Sequence, residues 1–171
     1  NGFRVTERIY SGSQPEGDAA FEALRKLGVK TILSVDGTPP DVERAARYGL
    51  RYVHVPHGYD GISSNTAIRL AKAATVLPEP IFVHCHHGKH RGPAAVGIMC
   101  RATAGWSTNQ VVAWMKLAGT SADYSGLYRD NLAFEVPTAT TDCAPTTSTA
   151  PLDVEPWREL GDPLLVRSGN G

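Results

Sequence analysis

One stretch of the sequence concentrates chemistry. His84-Cys85-His86-His87-Gly88-Lys89-His90-Arg91 sets a cysteine and an arginine at either end of a short run holding four more nitrogen-bearing side chains and a glycine. Ahead of it, Ile81-Phe82-Val83 has no polar face, as in a strand at the centre of a sheet. Behind it, Gly92-Pro93 places a proline where the first turn of a helix accepts one. A tight loop between strand and helix can turn successive backbone N–H groups toward one point, an anion nest, and the helix N-terminus adds partial positive charge. Arg91 can fork two hydrogen bonds to phosphate oxygens. Cys85 sits at the base of that bowl, in a field that favours its thiolate. Free cysteine titrates near ~8.5, and helix N-termini with cationic neighbours bring this to roughly 3.5–7.5. Such a thiolate can attack phosphorus and form a phosphocysteine intermediate.

The pattern His84-Cys85-x5-Arg91 between a buried strand and a helix resembles the signature of the protein tyrosine and dual-specificity phosphatases. Gly88-Lys89-His90-Arg91 is similar, position by position, to the loop of the small atypical dual-specificity phosphatases of the plant-and-fungi type, His-Cys-x-x-Gly-Lys-His-Arg-Thr-Gly. Ile9-Tyr10-Ser11-Gly12-Ser13-Gln14-Pro15 and Leu27-Gly28-Val29-Lys30-Thr31-Ile32-Leu33 also fit that group, so the resemblance runs from Arg8 to Leu132. It implies a phosphatase with Cys85 as nucleophile, Arg91 as clamp, and the loop from His86 through His87, Gly88, Lys89, His90 and Arg91 to Gly92 around the phosphate. It implies no cofactor, because thiolate phosphatases need no metal. There is one departure. The family usually carries Ser or Thr directly after the arginine, where its hydroxyl helps stabilise the leaving thiolate, and here the residue is Gly92. A slow second step is the expectation, and a pseudophosphatase that binds phosphate esters without turnover is the alternative that Gly92 favours.

The family's mechanism also requires an aspartate on a movable loop, which protonates the leaving oxygen and then activates water. That dual role is worth typically ~10²–10⁴-fold. Asp60 in Pro56-His57-Gly58-Tyr59-Asp60-Gly61 is the expected acid, with glycines on both sides to let the loop close. Asp36 in Val35-Asp36-Gly37 is the second candidate, and Asp-Gly is a turn signal for both. His57 is either a proton shuttle or a surface histidine. For substrate, His86, His87, Lys89 and His90 offer more charge than phosphotyrosine needs. Polyanions such as inositol phosphates, inositol pyrophosphates or phosphoinositides are therefore expected ahead of phosphoproteins. Lys89 also resembles a lysine of lipid- and inositol-directed members of the superfamily. The other reading of these side chains is that they brace the loop or face solvent.

Three further readings fit the loop less well. A structural turn with a buried cysteine would use Cys85 as a small apolar residue. A zinc site could draw on His84, Cys85, His86, His87 and His90, but zinc ligands usually come from separate elements and Arg91 and Lys89 would repel the cation. A rhodanese-like sulfurtransferase also holds a cysteine in an anion nest, and the loop length disfavours it.

The elements that must position these residues follow from periodicity. Arg8-Ile9-Tyr10, Thr31 to Val35, Tyr52 to Val55 and Ile81 to Val83 read as strands. Asp18 to Leu27, Asp41 to Tyr48, a segment capped by Asn65 and ended by Pro78, Pro93 to Ala104, Thr108 to Ala118 and Asp123 to Phe134 read as helices. Alternation of this kind predicts an α/β sandwich with a mostly parallel central sheet, whose ligands bind at the carboxyl ends of the strands. Trp106 and Trp114 read as packing residues, Arg101 and Arg129 as surface positions, and Cys100 as buried.

With 171 residues, 42% apolar and 20% charged, the chain suits one globular domain. The expected division is a phosphatase domain at 1–136, a Pro/Thr-rich linker at 137–151 and a tail at 152–171 that could dock through Trp157, Leu160, Leu164, Leu165 and Val166. Zero formal net charge gives no global attraction for nucleic acid, so anion binding must be local. Cys85, Cys100 and Cys143 are too few for a disulfide framework, though a Cys100–Cys143 bridge is open. No apolar run is long enough to span a bilayer. The expected location is soluble, either cytoplasmic or exported after loss of a signal segment, since the chain begins at Asn1.

Overall fold

The computed structural model describes residues 2–138 together with the backbone of residues 155–156. Consecutive strand residues point to opposite faces, and here both faces are apolar. Ile9 and Tyr10 of β2 (Ile9–Ser13) enter separate hydrophobic clusters, as do Leu33 and Ile32 of β3 (Thr31–Ser34) and Val83 and Phe82 of β5 (Ile81–Cys85). A sheet of that kind must be covered twice. Phe21 and Leu24 of α1 (Gly17–Lys26) and Ala45 of α2 (Val42–Arg47) pack with Ile32 and Phe82 on one side. On the other lie α3 (Ser64–Val76), α4 (Arg91–Ala104), α5 (Thr108–Ala118) and α6 (Ser125–Ala133), joined by Leu70, Ile98, Trp114 and Leu127. The result is the expected three-layer α/β sandwich.

The six strands run in the order β4-β3-β5-β2-β1-β6, where β1 is Gly2–Arg4, β4 is Arg51–His54 and β6 is Glu155–Pro156. The four strands from β4 to β2 are parallel, while β1 pairs antiparallel with β2 and β6 antiparallel with β1. From β3 the chain moves outward to β4 through α2, then recrosses the sheet through α3 to reach β5. Neighbouring strands β3 and β5 therefore send their chains to opposite faces. That is a topological switch point, where α/β sheets open a crevice beyond their carboxyl ends.

Most boundaries agree with the periodicity to within a residue or two. The departures are local. Ser63, not Asn65, caps α3: its backbone is extended and its Oγ accepts the Thr66 N–H at 3.2 Å, while Asn65 lies inside the helix. β2 continues to Ser13 because its ladder with β5 runs on to Cys85. Arg101, read as a surface residue, is half-buried and donates to the Asn131 and Phe134 carbonyls at 2.8 and 2.6 Å, closing the C-terminal end of α6. Cys143, the linker and the tail's apolar residues lie outside the described residues, as does any Cys100–Cys143 bridge. Among the described residues, no helix is long and apolar enough to cross a membrane.

The helix that matters most is α4. Every residue from Arg91 to Cys100 is buried, and small side chains let its neighbours approach. Trp114 donates its Nε1–H to the Pro93 carbonyl at 2.9 Å, and Asn131 donates Nδ2–H to the Ala94 carbonyl at 3.0 Å. Two hydrogen bonds from other helices thus fix the first turn of α4, where the loop from β5 arrives.

Candidate active site

Cys85 is the last residue of β5, nine-tenths and more buried, and Arg91 is the first of α4. Between them, the backbone N–H groups of His87 to Arg91 donate to no acceptor among the described residues. Gly88 makes the tight turn. Its φ is +69°, and a Cβ there would lie 2.5 Å from the carbonyl carbon of Gly12, so only glycine fits between the loop and the end of β2. Gln14 donates its N–H to the His86 carbonyl at 3.2 Å, adding a second tie to the same side.

The opposite side is held by the α5–α6 turn. Thr120 Oγ1–H donates to the Lys89 carbonyl at 2.7 Å, Tyr128 O–H donates to the Thr120 carbonyl at 2.8 Å, and the Ser121 N–H donates to His90 Nδ1 at 3.3 Å. The His90 ring also packs on Tyr124, with centroids 4.5 Å apart. Burial first, then the charges of Lys89, His87 and Arg91, lower its pKa. The His90 side chain therefore braces the loop as a neutral ring turned toward Ser121 and Tyr124. His86, His87 and Lys89 are exposed, with the two imidazoles in edge contact at 4.4 Å.

Arg91 is nearly buried and needs a partner for its charge. Asp36, just past the end of β3, supplies it through a hydrogen-bonded ion pair to one guanidinium NH2, with both side chains at or below a tenth exposed. Burial raises the Asp36 carboxyl, but hydrogen bonding from Thr38 and the Arg91 charge outweigh it, so its pKa lies below the ordinary value. His54 Nε2–H donates to the Asp36 carbonyl at 2.6 Å and steadies that corner. Asp36 thus faces the arginine as a fixed counter-ion, ill suited to carry a proton to a leaving group. The Nε of Arg91 is buried with no partner among the described residues.

Over the face of the guanidinium lies Tyr59, its ring centroid 4.3 Å from Arg91 Cζ. Asp60 follows directly, exposed, on the loop after β4. The contact brings the expected acid loop to Arg91 without relying on Asp60 itself. His57 is half-buried beside it, donating Nδ1–H to the Gly58 carbonyl at 3.0 Å, and burial lowers its pKa. Beneath the loop, Tyr52 O–H donates to His84 Nε2 at 2.7 Å, while His84 Nδ1–H reaches the Cys85 carbonyl at 3.4 Å. Burial pushes the His84 pKa down to about 4, so the ring is neutral and holds the strand end. Gly92 lies against the Cys85 thiol: a Cβ there would be 3.4 Å from Cys85 Sγ.

Asp36 could be found in the sequence as a residue at a strand's carboxyl edge, but not as the partner of Arg91, because that depends on β3 lying next to β5. Tyr59, His54 and Thr120 carried no sequence signal of their own. Trp114 and Cys100 are buried in the packing, as expected.

No family model and no curated protein matches the sequence. Solved structures do match its fold. TpbA of P. aeruginosa is 18% identical with a TM-score of 0.66, covering 78% of this chain and 84% of its own. PTPMT1 is 11% identical with a TM-score of 0.62, covering 76% and 93%. The core catalytic domain of the PP-IP phosphatase SIW14 from S. cerevisiae is 22% identical with a TM-score of 0.58, covering 72% and 81%. The chain has the fold of the cysteine-dependent tyrosine and dual-specificity phosphatases.

The buried ion pair makes a prediction for stability. A carboxylate whose folded pKa is depressed stabilises the fold above its unfolded pKa, and that contribution fades as pH falls through the folded value. Asp36→Asn leaves the Arg91 charge uncompensated and is expected to cost about 3–5 kcal/mol near neutral pH. In urea unfolding, the gap between wild type and variant should shrink toward zero below the depressed Asp36 pKa. A gap of equal size in acid and at neutral pH contradicts the assignment.

Proposed function

We propose that this chain hydrolyses phosphate monoesters through a phosphocysteine intermediate, with Cys85 as nucleophile, Arg91 as clamp and Asp60 as acid and base. The observation that carries the reading is the loop from Cys85 to Arg91: a buried cysteine at a strand end, main-chain N–H groups with no acceptor among the described residues, and a guanidinium held in place at the start of α4. In the first step the Cys85 thiolate forms a bond to phosphorus as the ester P–O bond breaks. Asp60 gives its proton to the departing alcohol oxygen. In the second, water attacks phosphorus, Asp60 takes the water's proton, and the P–S bond breaks to return thiolate and release inorganic phosphate. Arg91 and the loop N–H groups stabilise the charge on the equatorial oxygens in both steps.

Polyphosphorylated small molecules are the substrate class this rim favours. Lys89, His86 and His87 stand exposed around a bowl whose inner charge is Arg91, so a second phosphate on the same molecule would meet them. Among proteins of the same fold, SIW14 is a PP-IP phosphatase solved with citrate, PTPMT1 was solved with PI(5)P, and TpbA with pTyr. All three carry anionic groups on different scaffolds, which fits one shared bowl with variable rims.

Two experiments test this. Phosphate release from inositol polyphosphates should exceed release from phosphotyrosine peptides in kcat/KM, and Cys85→Ser should reduce both to background. Preference for the peptide removes the polyanion assignment, and activity surviving Cys85→Ser removes the mechanism. For Gly92, the absence of a hydroxyl beside Sγ predicts that breakdown of phosphocysteine limits turnover. An aryl phosphate should then give a rapid burst of phenol followed by a slower steady rate. Gly92→Ser should raise the steady rate and leave the burst rate nearly unchanged. A wild-type enzyme without a burst contradicts this.

A further inference from the structure

The loop that carries Asp60 has almost no hydrogen bonds of its own. Among the described residues, its only hydrogen bond between two main-chain groups from Pro56 to Gly61 is the His57 N–H to the Val35 carbonyl at 3.3 Å, beside the His57 ring's bond to the adjacent Gly58 carbonyl. A segment like that takes its position from what it rests on. Here it rests on α6, a helix that the chemistry of the bowl does not involve.

The contacts are consecutive. The Asp60 carbonyl lies so close to Gly126, at the start of α6, that a Cβ there would fall 1.7 Å from the oxygen. Gly61 meets the Asp130 carboxylate, whose Oδ2 would be 2.1 Å from a Cβ on the glycine. That same oxygen accepts the Ile62 N–H at 2.7 Å. Arg129 grips the carboxylate from outside, with Nε to Oδ1 at 2.8 Å and a second hydrogen bond to Oδ2 at 3.1 Å. On the inner side, Tyr59 packs against Tyr124, the residue before α6, with ring centroids 4.9 Å apart. Asp60 is therefore flanked by a ring pinned between Arg91 and Tyr124 and by an amide pinned on Asp130. Asp130 is mostly buried, while Arg129 is exposed and screened by solvent.

We propose that Asp130 is a positioning residue for the Asp60 carboxyl, holding the acid loop against α6 through the Ile62 N–H, with Gly126 as the seat for the loop's main chain. This rests on Asp60 being the general acid. Freed of the Asp130 anchor, the loop spends more time away from Arg91, and the proton arrives late or not at all. Misplacing a catalytic group by about an ångström can cost ~10²-fold.

The test compares kcat/KM, which reports the steps through phosphocysteine formation and not its breakdown, for two aryl phosphates, one with a poor leaving group (phenyl) and one with a good leaving group (nitrophenyl). Only the poor leaving group depends strongly on the acid. Asp60→Asn should lose far more activity on the phenyl ester than on the nitrophenyl ester. Asp130→Leu should show the same selectivity in smaller measure, about tenfold or more on the phenyl ester and little on the nitrophenyl ester. Asp130→Asn keeps an oxygen acceptor for the Ile62 N–H and should recover most of the loss. Vanadate inhibition should be unchanged in both Asp130 variants, since the bowl is intact. Gly126→Ala, which forces the loop off its seat, is the second variant and should repeat the selectivity if Asp130→Leu does not fold. Equal loss on both esters, or no loss, overturns the role of Asp130 while leaving the acid assignment standing. Absence of selectivity in Asp60→Asn overturns both.

Discussion

A guanidinium buried at the start of a helix has to be neutralised, and in this chain the carboxylate of Asp36 does so. The constraint reaches far. Arg91 is exposed by only 8%, so its charge is screened weakly and its partner must come from within the fold. Asp36 can be that partner only if β3 lies beside β5, which the parallel ladder from Thr31–Ile81 to Ser34–His84 ensures. That adjacency needs the chain to leave β3 on one face and return to β5 across the other, and so needs both helical layers. The Val35 N–H donating to the His84 carbonyl at 3.0 Å carries the pairing one residue past the strand, where the two charged side chains meet. Apolar replacement of a buried ion pair is often neutral for a fold, but here it would remove the site's fixed positive charge.

The charge of the site is narrower than the composition of its loop. Six residues between His84 and Arg91 carry basic nitrogen: four histidines, a lysine and an arginine. His84 is desolvated and neutral, hydrogen-bonded between Tyr52 and its own neighbour's carbonyl. His90 is turned toward Ser121 and Tyr124. What remains is Arg91 inside the bowl and Lys89, His86 and His87 around its rim. Burial thus sorts one run of similar side chains into a paired guanidinium, bracing imidazoles and exposed basic groups.

Much of this was legible in the sequence, for physical reasons. The buried strand, the glycine in the loop, the cysteine and arginine at its ends and the proline behind them each leave a local mark. The sandwich follows from alternating periodicities. Contacts between distant segments leave no such mark. Asp36 reads as one more Asp-Gly turn until β3 is set beside β5. Tyr59 reads as a loop aromatic until its ring lies on Arg91. Arg101 reads as solvent-facing until the end of α6 needs its carbonyls satisfied. Asn65 and Ser63 illustrate a smaller failure: both are good caps by type, and only the backbone conformation chooses between them.

The central claim is that Cys85 forms a covalent bond to phosphorus. Its most direct test is to mix the enzyme with a phosphate ester, quench in acid within the first turnover, and examine the peptide bearing Cys85 by mass spectrometry. A phosphate adduct on Cys85 should form and decay at rates consistent with turnover, and none should form when Arg91 is replaced by alanine. Phosphate release at full rate with no adduct on Cys85 at any time point would contradict it.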